Sequence, residues 1–363
     1  MKVLLFSTQW PEYMISLANS MAKHANTTLM LPSNHRFTEE HKTLISKEVK
    51  FVPYHVVFHK SIRDNFFLLK NILRTIWEIK PHILHIQANG HRLFYWIALF
   101  KPWNTKIINT IHDPEKHLGD RVSRQIKDNT VKFLSPLFTK KYIVHGIALK
   151  DELAKSYKVG NKKIVSIPHG HFEIYKSFTD TTFKVNHKDY ILFFGRIWKY
   201  KGLQYFIDAA NIVLLKYPNT IFYIVGQGED LNNYKFDLAN KNNFTIINRR
   251  VSLAEANIIY QNALITVLPY VEATQSGVIP VSYAFAKPVI ATNVGSIGEM
   301  VIDGKTGFLI EKRNSAQIAE KLIEVLENDE LITKMGKEAY KFAKENLSWD
   351  LIAQSTYDVY CEQ

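Results

Sequence analysis

The sequence predicts an α/β chain of two doubly wound domains, each a parallel sheet with helices on both faces. Three observations carry this. Short apolar runs of strand length alternate with stretches of helical apolar spacing, the pattern of parallel sheets covered on both sides. The 363 residues exceed what one hydrophobic core usually serves, so two domains are the default. The polar interval Lys176–Asp189 (KSFTDTTFKVNHKD) keeps neither period and reads as a linker.

The opening MKVLLFSTQW looks like a signal segment, but only Val3–Phe6 are continuously apolar and no small-residue cleavage site follows. It reads as a first buried strand. Further strands are expected at Thr28–Leu31, Ile83–Ile86, Ile107–Ile111, Tyr142–Val144 and Ile164–Ile167, with helices near Ile15–Lys23, Asn65–Ile79 and Arg92–Phe100. In the second half, strands are expected at Tyr190–Phe194, Ile221–Val225, Phe244–Ile247, Leu264–Leu268 and Val289–Ala291. After Lys201-Gly202 the apolar positions Leu203, Phe206, Ile207, Ala210 and Leu214 keep helical spacing, so one face packs on a sheet. No internal repeat or low-complexity segment is visible.

Composition narrows the class. Hydrophobic residues make up 46% and aromatics 13%, and the mean hydropathy of −0.14 is that of a soluble protein. No apolar run approaches the roughly 18 residues that span a bilayer. Cys361 is the sole cysteine, which excludes an internal disulfide and a cysteine metal cluster and fits a reducing cytoplasm. The net charge of +12 is uneven: residues 1–185 carry 28 Lys/Arg against 14 Asp/Glu, and the remainder 18 against 20. Such a basic half attracts anionic membrane lipid, polyprenyl-diphosphate-linked glycans or anionic polysaccharide. No nucleic-acid-binding module accompanies it.

Two segments look built for phosphate. In FGRIWKYKG an apolar strand ends in Gly195, Arg196 follows, and Lys201-Gly202 precedes the helix pattern. Arg supplies a planar fork for phosphate oxygens and Lys a mobile point charge, a pairing that suits a diphosphate. Downstream, Tyr270–Ile310 places a Gly/Ser/Thr-rich turn between a strand and a helix pattern, and a helix start there presents free N–H groups to an anion. Gly226 and Gly228 in VGQGE end another strand and permit close backbone approach.

These residues carry a resemblance. FGRIWKYKG, IVGQGE, VSLAEANIIYQNA, EATQSGV with AFAKPVIAT, and VGSIGEMVIDGKTGFLI are similar to blocks of glycosyltransferase family 4, of group 1 type. KPHILHIQ, TIHDP, KKYIVHG and IPHG extend the likeness through the first half. The resemblance implies the GT-B fold, two Rossmann-like domains facing a central cleft. It divides the chain into an acceptor-binding domain at 1–180, a nucleotide-sugar domain at 181–345, and a helix at 346–363 crossing back to the first domain.

Carried over residue by residue, the resemblance assigns Arg196 and Lys201 to the donor diphosphate and His112 to the donor sugar. Gly195, Gly226, Gly228, Ser276, Gly277, Val278 and Glu299 fall on the donor side. Glu299 alternatively stabilises a following helix turn. The family's two glutamates eight positions apart are broken here: aligned on Pro288, Ala273 and Val281 take their places, with Glu272 displaced by one residue. Glu272 can still accept hydrogen bonds from sugar hydroxyls, whereas the ribose contact is in doubt. His112-Asp113 emerges at a strand end; His117, His145 and His169 lie in similar loops, and His145 and His169 are expected to shape the cleft. A glycine pair usual after the first strand is replaced by Ser7-Thr8-Gln9-Trp10-Pro11, where Trp10 either stacks on acceptor or plugs the domain. No pair of residues has metal-ligand spacing, and two cations with a helix terminus can neutralise a diphosphate without metal or other cofactor.

The implied activity is a retaining, hexosyltransferase-type transfer from a UDP- or GDP-sugar to a glycan or lipid-linked acceptor in cell-surface polysaccharide biosynthesis, in the cytoplasm or on the inner face of the membrane. Two other readings stay open: a non-catalytic GT-B protein that binds nucleotide or glycan for a partner enzyme, and a sugar-nucleotide 2-epimerase.

Overall fold

The computed structural model describes residues 1–33, 37–55, 62–87, 93–114 and 125–362. Its strands are β1 (Lys2–Ser7), β2 (Asn26–Ser33), β3 (Lys50–His55), β4 (Ile83–Gln87), β5 (Lys106–Thr110), β6 (Thr139–Val144), β7 (Ile164–Ser166), β8 (Tyr190–Phe194), β9 (Phe222–Gly226), β10 (Phe244–Asn248), β11 (Ala263–Leu268), β12 (Val289–Thr292) and β13 (Gly307–Ile310). Its helices are α1 (Pro11–Met21), α2 (Glu39–Thr43), α3 (Ile62–Ile79), α4 (Leu93–Phe100), α5 (Gln125–Phe138), α6 (Ala148–Tyr157), α7 (Leu203–Lys216), α8 (Leu253–Asn262), α9 (Val278–Ala284), α10 (Ser315–Leu326), α11 (Asp329–Asn346) and α12 (Trp349–Cys361). None is long and apolar enough to cross a membrane among the described residues.

Two parallel sheets result, ordered β3-β2-β1-β4-β5-β6-β7 and β10-β9-β8-β11-β12-β13. In each, the strand order reverses once, at β1/β4 and at β8/β11, and ligands of open α/β sheets bind beyond the carboxyl ends of strands at such points. Strands β4 and β9 are buried along their whole length, as expected where helices cover both faces. Helix α7 buries Leu203, Phe206, Ile207, Ala210 and Leu214, the face that the spacing specified.

The chain divides into two compact units. The first takes residues up to Gly170 and the final helix from Trp349; the second takes His171–Ser348. The boundary thus falls before the polar interval read as a linker. Phe178 is buried, its carbonyl accepts from Asn257 Nδ2 at 2.8 Å, and Glu173 accepts from Tyr340 Oη at 2.8 Å, so the start of that interval is anchored within the second unit at Phe178. Packing by a few anchoring side chains carries no periodic signature.

Strands β3 and β13 went unpredicted, and both are edges. β3 contains Pro53, which an edge tolerates because its missing N–H costs no ladder bond. β13 is only Gly-Phe-Leu-Ile, and a Cβ at Gly307 would lie 2.2 Å from the Val289 carbonyl oxygen. Helix α1 begins at Pro11, four residues before the expected start, with Trp10 as its N-cap; proline suits the first helical turn because its absent N–H has no helical partner there.

Candidate active site

In the second unit the loops after β8 and β11 are tied together. Tyr200 accepts a hydrogen bond through its carbonyl from Val271 N at 2.8 Å, and Gly202, at φ 71°, comes so close to Pro269 that a Cβ would sit 1.9 Å from its carbonyl oxygen. Gly202 caps α7, and Lys201 ends a short 3-10 turn (Lys199–Lys201) rather than opening the helix. That turn holds Lys201 Nζ 3.6 Å from the Tyr270 ring centroid and 5.1 Å from that of Tyr200. Arg196 is exposed and donates from Nη2 to Tyr200 Oη at 2.9 Å. Two cations are thereby oriented by one pair of tyrosines, a cation–π arrangement that fixes charge without neutralising it.

The turn before α9 completes this cluster. Ser276 is buried, with its hydroxyl 3.3 Å from Tyr270 Oη and accepting from Val278 N at 3.3 Å. Val278 lies beside Gly195, where a Cβ would be 3.8 Å from the valine methyl, and Gly277 caps α9 with no side-chain cap. Gln275 Oε1 and Ser296 Oγ are buried with no hydrogen-bond partner among the described residues, and Ser296 N donates to Thr274 O. Buried polar atoms are normally paired, so this turn retains unused hydrogen-bonding capacity.

Several expectations change. The close approach permitted by Gly226 and Gly228 is to backbone: Cβ atoms there would lie 1.6 Å from Gly195 O and 1.9 Å from Ile197 O. Their smallness brings the β9 and β8 loops together, which is a packing role. Glu299 is exposed in a succession of turns that no helix follows, which removes its helix-stabilising reading. Ala273 and Val281, at the places of the paired glutamates, are buried. Glu272 is half-buried just beyond β11.

The first unit gathers a different cluster at the carboxyl ends of β1, β4, β5, β6 and β7. His112 lies 4.6 Å from His145 and 6.1 Å from His169 by ring centroids, and His145 lies 5.0 Å from His169. Tyr13 of α1 packs on all three, and Trp349 of α12 packs on Tyr13 at 4.8 Å. Trp10, at the left-handed φ of 53°, sets its ring 4.1 Å from that of His112. A bulky residue in that region is strained; the indole contributes to the cluster and is half-buried. Gly170 leaves room for Trp349, whose ring would lie 2.6 Å from a Cβ there.

All three histidines are buried. Burial pushes His112 and His145 well below the usual imidazole value, reinforced by their histidine neighbours, and pushes His169 down to about 4. They are therefore neutral at pH 7. His145 Nδ1 is 2.9 Å from Ile167 O and His169 Nδ1 is 3.0 Å from Gly170 O. Carbonyls only accept, so these Nδ1 atoms donate and each Nε2 keeps a lone pair. His145 Nε2 has no partner among the described residues. Gln87 Oε1 lies 3.2 Å from His112 Nε2, while Gln87 Nε2 is buried with no partner among the described residues. Asp113 is half-buried beside this group, raising the His145 value slightly against burial.

The structure thus brings together Trp10, His112, His145 and His169 on one unit and Gly195, Arg196, Lys201, Ser276, Gly277 and Val278 on the other. His117 lies outside the described residues. Sequence reasoning missed Tyr13, Gln87, Tyr200, Tyr270, Gln275, Ser296 and Trp349. Of these, only Gln87 and Tyr270 carried a signal, standing at or just past the end of an apolar strand run. Among the described residues no group of three or more His, Cys, Asp or Glu is placed to hold a metal ion.

Two doubly wound parallel sheets, one ending in a cationic strand-to-helix loop, are the two Rossmann-like domains of the GT-B fold. The structure of Anabaena HepE, solved with UDP and with UDP-glucose, superposes with a TM-score of 0.71 in both cases at 16% identity, covering 100% of both chains. The family model described as Glycosyltransferase Family 4 matches residues 12–171, and that described as Glycosyl transferases group 1 matches residues 188–328. The chain belongs to this family of glycosyltransferases. It is 33% identical over 173 residues to an uncharacterized glycosyltransferase of Methanocaldococcus jannaschii, an alignment spanning 47% of each. It is 23% identical over 331 residues to the D-inositol 3-phosphate glycosyltransferase of Paenarthrobacter aurescens, covering 81% of this chain and 78% of that protein.

Proposed function

We propose that this glycosyltransferase moves a sugar, with retention, from a UDP- or GDP-sugar to a glycan or lipid-linked acceptor in cell-surface polysaccharide synthesis, working at the inner face of the membrane. The observation that carries the reading is the preorganised pair Arg196 and Lys201 on Tyr200 and Tyr270, beside the Ser276–Val278 turn. As the bond from the sugar's anomeric carbon to the leaving oxygen breaks, the nucleotide diphosphate takes the electron pair. Fixed cations stabilise that growing charge more than the ground state. The acceptor oxygen bonds to the anomeric carbon on the same face, and its proton passes to the departing phosphate. Neutral His112 serves as a hydrogen-bonding partner for a sugar hydroxyl. The two cations take the role a metal would otherwise have.

HepE's complexes with UDP and UDP-glucose support a uridine donor, and the basic first half supports an anionic or diphosphate-linked acceptor. A panel of nucleotide sugars read by mass spectrometry tests the proposal: nucleotide diphosphate release that requires acceptor is expected, with the mass of one sugar added to it. The buried Ala273 and Val281 favour a second reading, a non-catalytic binding protein. Nucleotide binding without turnover on any donor would select it, and conversion of the donor without acceptor would select a 2-epimerase.

A further inference from the structure

Helix α4 of the first unit, LFYWIALF, has no side chain more polar than those of Tyr95 and Trp96. Its Phe94, Ile97 and Ala98 are buried against the core, while Trp96, Leu99 and Phe100 are exposed. A helix apolar on every side is ordinarily covered on every side, yet the outer face here continues into more exposed apolar surface. Trp103, just past the helix, is 95% exposed, and Phe133 on the adjoining α5 is 76% exposed with Leu137 beside it in the same helix. The rim is ordered: Trp77 of α3 donates from Nε1 to the Phe100 carbonyl at 2.7 Å, and the Trp96 and Phe100 rings stack at 6.0 Å. Eight residues reach about 12 Å, far short of the roughly 30 Å of a bilayer core, so α4 lies on a surface rather than through one.

We propose that the α3–α4–α5 face docks on an anionic lipid bilayer, with Trp96, Leu99, Phe100 and Trp103 entering the interface. This rests on the membrane residence proposed above and names the surface that achieves it. Charge selects the occupant: among the described side chains, residues 65–80, 94–106 and 132–140 hold seven Lys/Arg against one Asp/Glu, and Lys101 and Lys106 flank Trp103 in sequence. A second copy meeting this face by two-fold symmetry would set like charge against like charge. An anionic headgroup layer is complementary, and tryptophan favours the boundary between headgroups and chains.

The test is co-sedimentation of the full chain with vesicles of mixed phosphatidylglycerol and phosphatidylcholine, against phosphatidylcholine alone, at low and physiological salt. The wild type is expected to bind the anionic vesicles preferentially and less at higher salt. Trp96→Ser, Phe100→Ser and Trp103→Ser combined are expected to weaken binding about 10-fold or more, and Lys101→Glu with Lys106→Glu by about fivefold for each lysine removed. Trp103→Ser alone, at so exposed a position, reads the same effect in smaller measure should the triple variant fail to fold. Absence of wild-type binding to anionic vesicles overturns the proposal. So does undiminished binding by the folded aromatic variants, which leaves membrane residence standing but through another face. A dimer in light scattering that those substitutions dissolve, without lipid binding, gives the face to a second copy and also overturns it. Nucleotide diphosphate release with a water-soluble acceptor is measured in parallel, so failure of the sugar-transfer reading is seen separately.

Discussion

The two clusters use opposite electrostatics. The second unit displays cationic side chains: Arg196 is exposed and donates to Tyr200, and Lys201 is held over Tyr270, so both are aimed by aromatic partners. The first unit conceals titratable groups: His112, His145 and His169 are buried together and held neutral. Under the proposed function the difference matches what each would bind: a diphosphate is matched by positive charge, and sugar hydroxyls by neutral donors and acceptors in a site that excludes water.

The comparison breaks most directly at the cations. Arg196→Ala with Lys201→Ala is expected to lower turnover by about 10²-fold or more while the thermal midpoint stays within a few degrees, because Arg196 is exposed and Lys201 only half-buried. Wild-type nucleotide diphosphate release by the double variant would remove the phosphate assignment.

Gly226→Ala sharpens it by separating architecture from ligand contact. The added methyl meets the Gly195 carbonyl at φ 153°, so a stability loss of about 2–4 kcal/mol is expected in urea unfolding. Unchanged stability with weakened nucleotide binding would return Gly226 to direct donor contact.

The histidines give a pH signature. Their folded values lie below the unfolded one, so the unfolded chain binds more protons and stability falls as pH drops below about 6.5. For His169 the loss continues to about pH 4, at about 1.4 kcal/mol per pH unit for each histidine within its window. Thermal midpoints of wild type and His169→Gln at pH 7 and pH 5 measure this; equal acid sensitivity in the two would mean that His169 is already solvated.

The smallest expected effect is none: sugar transfer is expected to persist in excess EDTA, because the proposed function gives the leaving group to Arg196 and Lys201. Activity lost to EDTA and restored only by Mg²⁺ or Mn²⁺ would assign that role to a metal.

Periodicity and strand-end position made the alternating elements, the inward face of α7 and the pairing of Arg196 with Lys201 legible, since each is a property of a few adjacent residues. The placement of α12 in the first unit was legible only through family likeness. The edge strands β3 and β13 were hidden by proline, glycine and brevity, features that an edge tolerates and a propensity argument penalises. Tyr13 fell before the expected helix and Gln87 just past an expected strand; only the fold sets them against His112.

By itself the sequence determined the layered α/β class, the two-domain scale, the basic first half and the cations at a strand-to-helix junction. These follow from local spacing, composition and covalent order. Only tertiary structure decided that Tyr200 and Tyr270 hold the cations, that Gly226 and Gly228 serve backbone packing, and that three histidines 33 and 24 positions apart share one buried cluster. Those depend on which strand ends the sheet brings side by side, and on the desolvation that results.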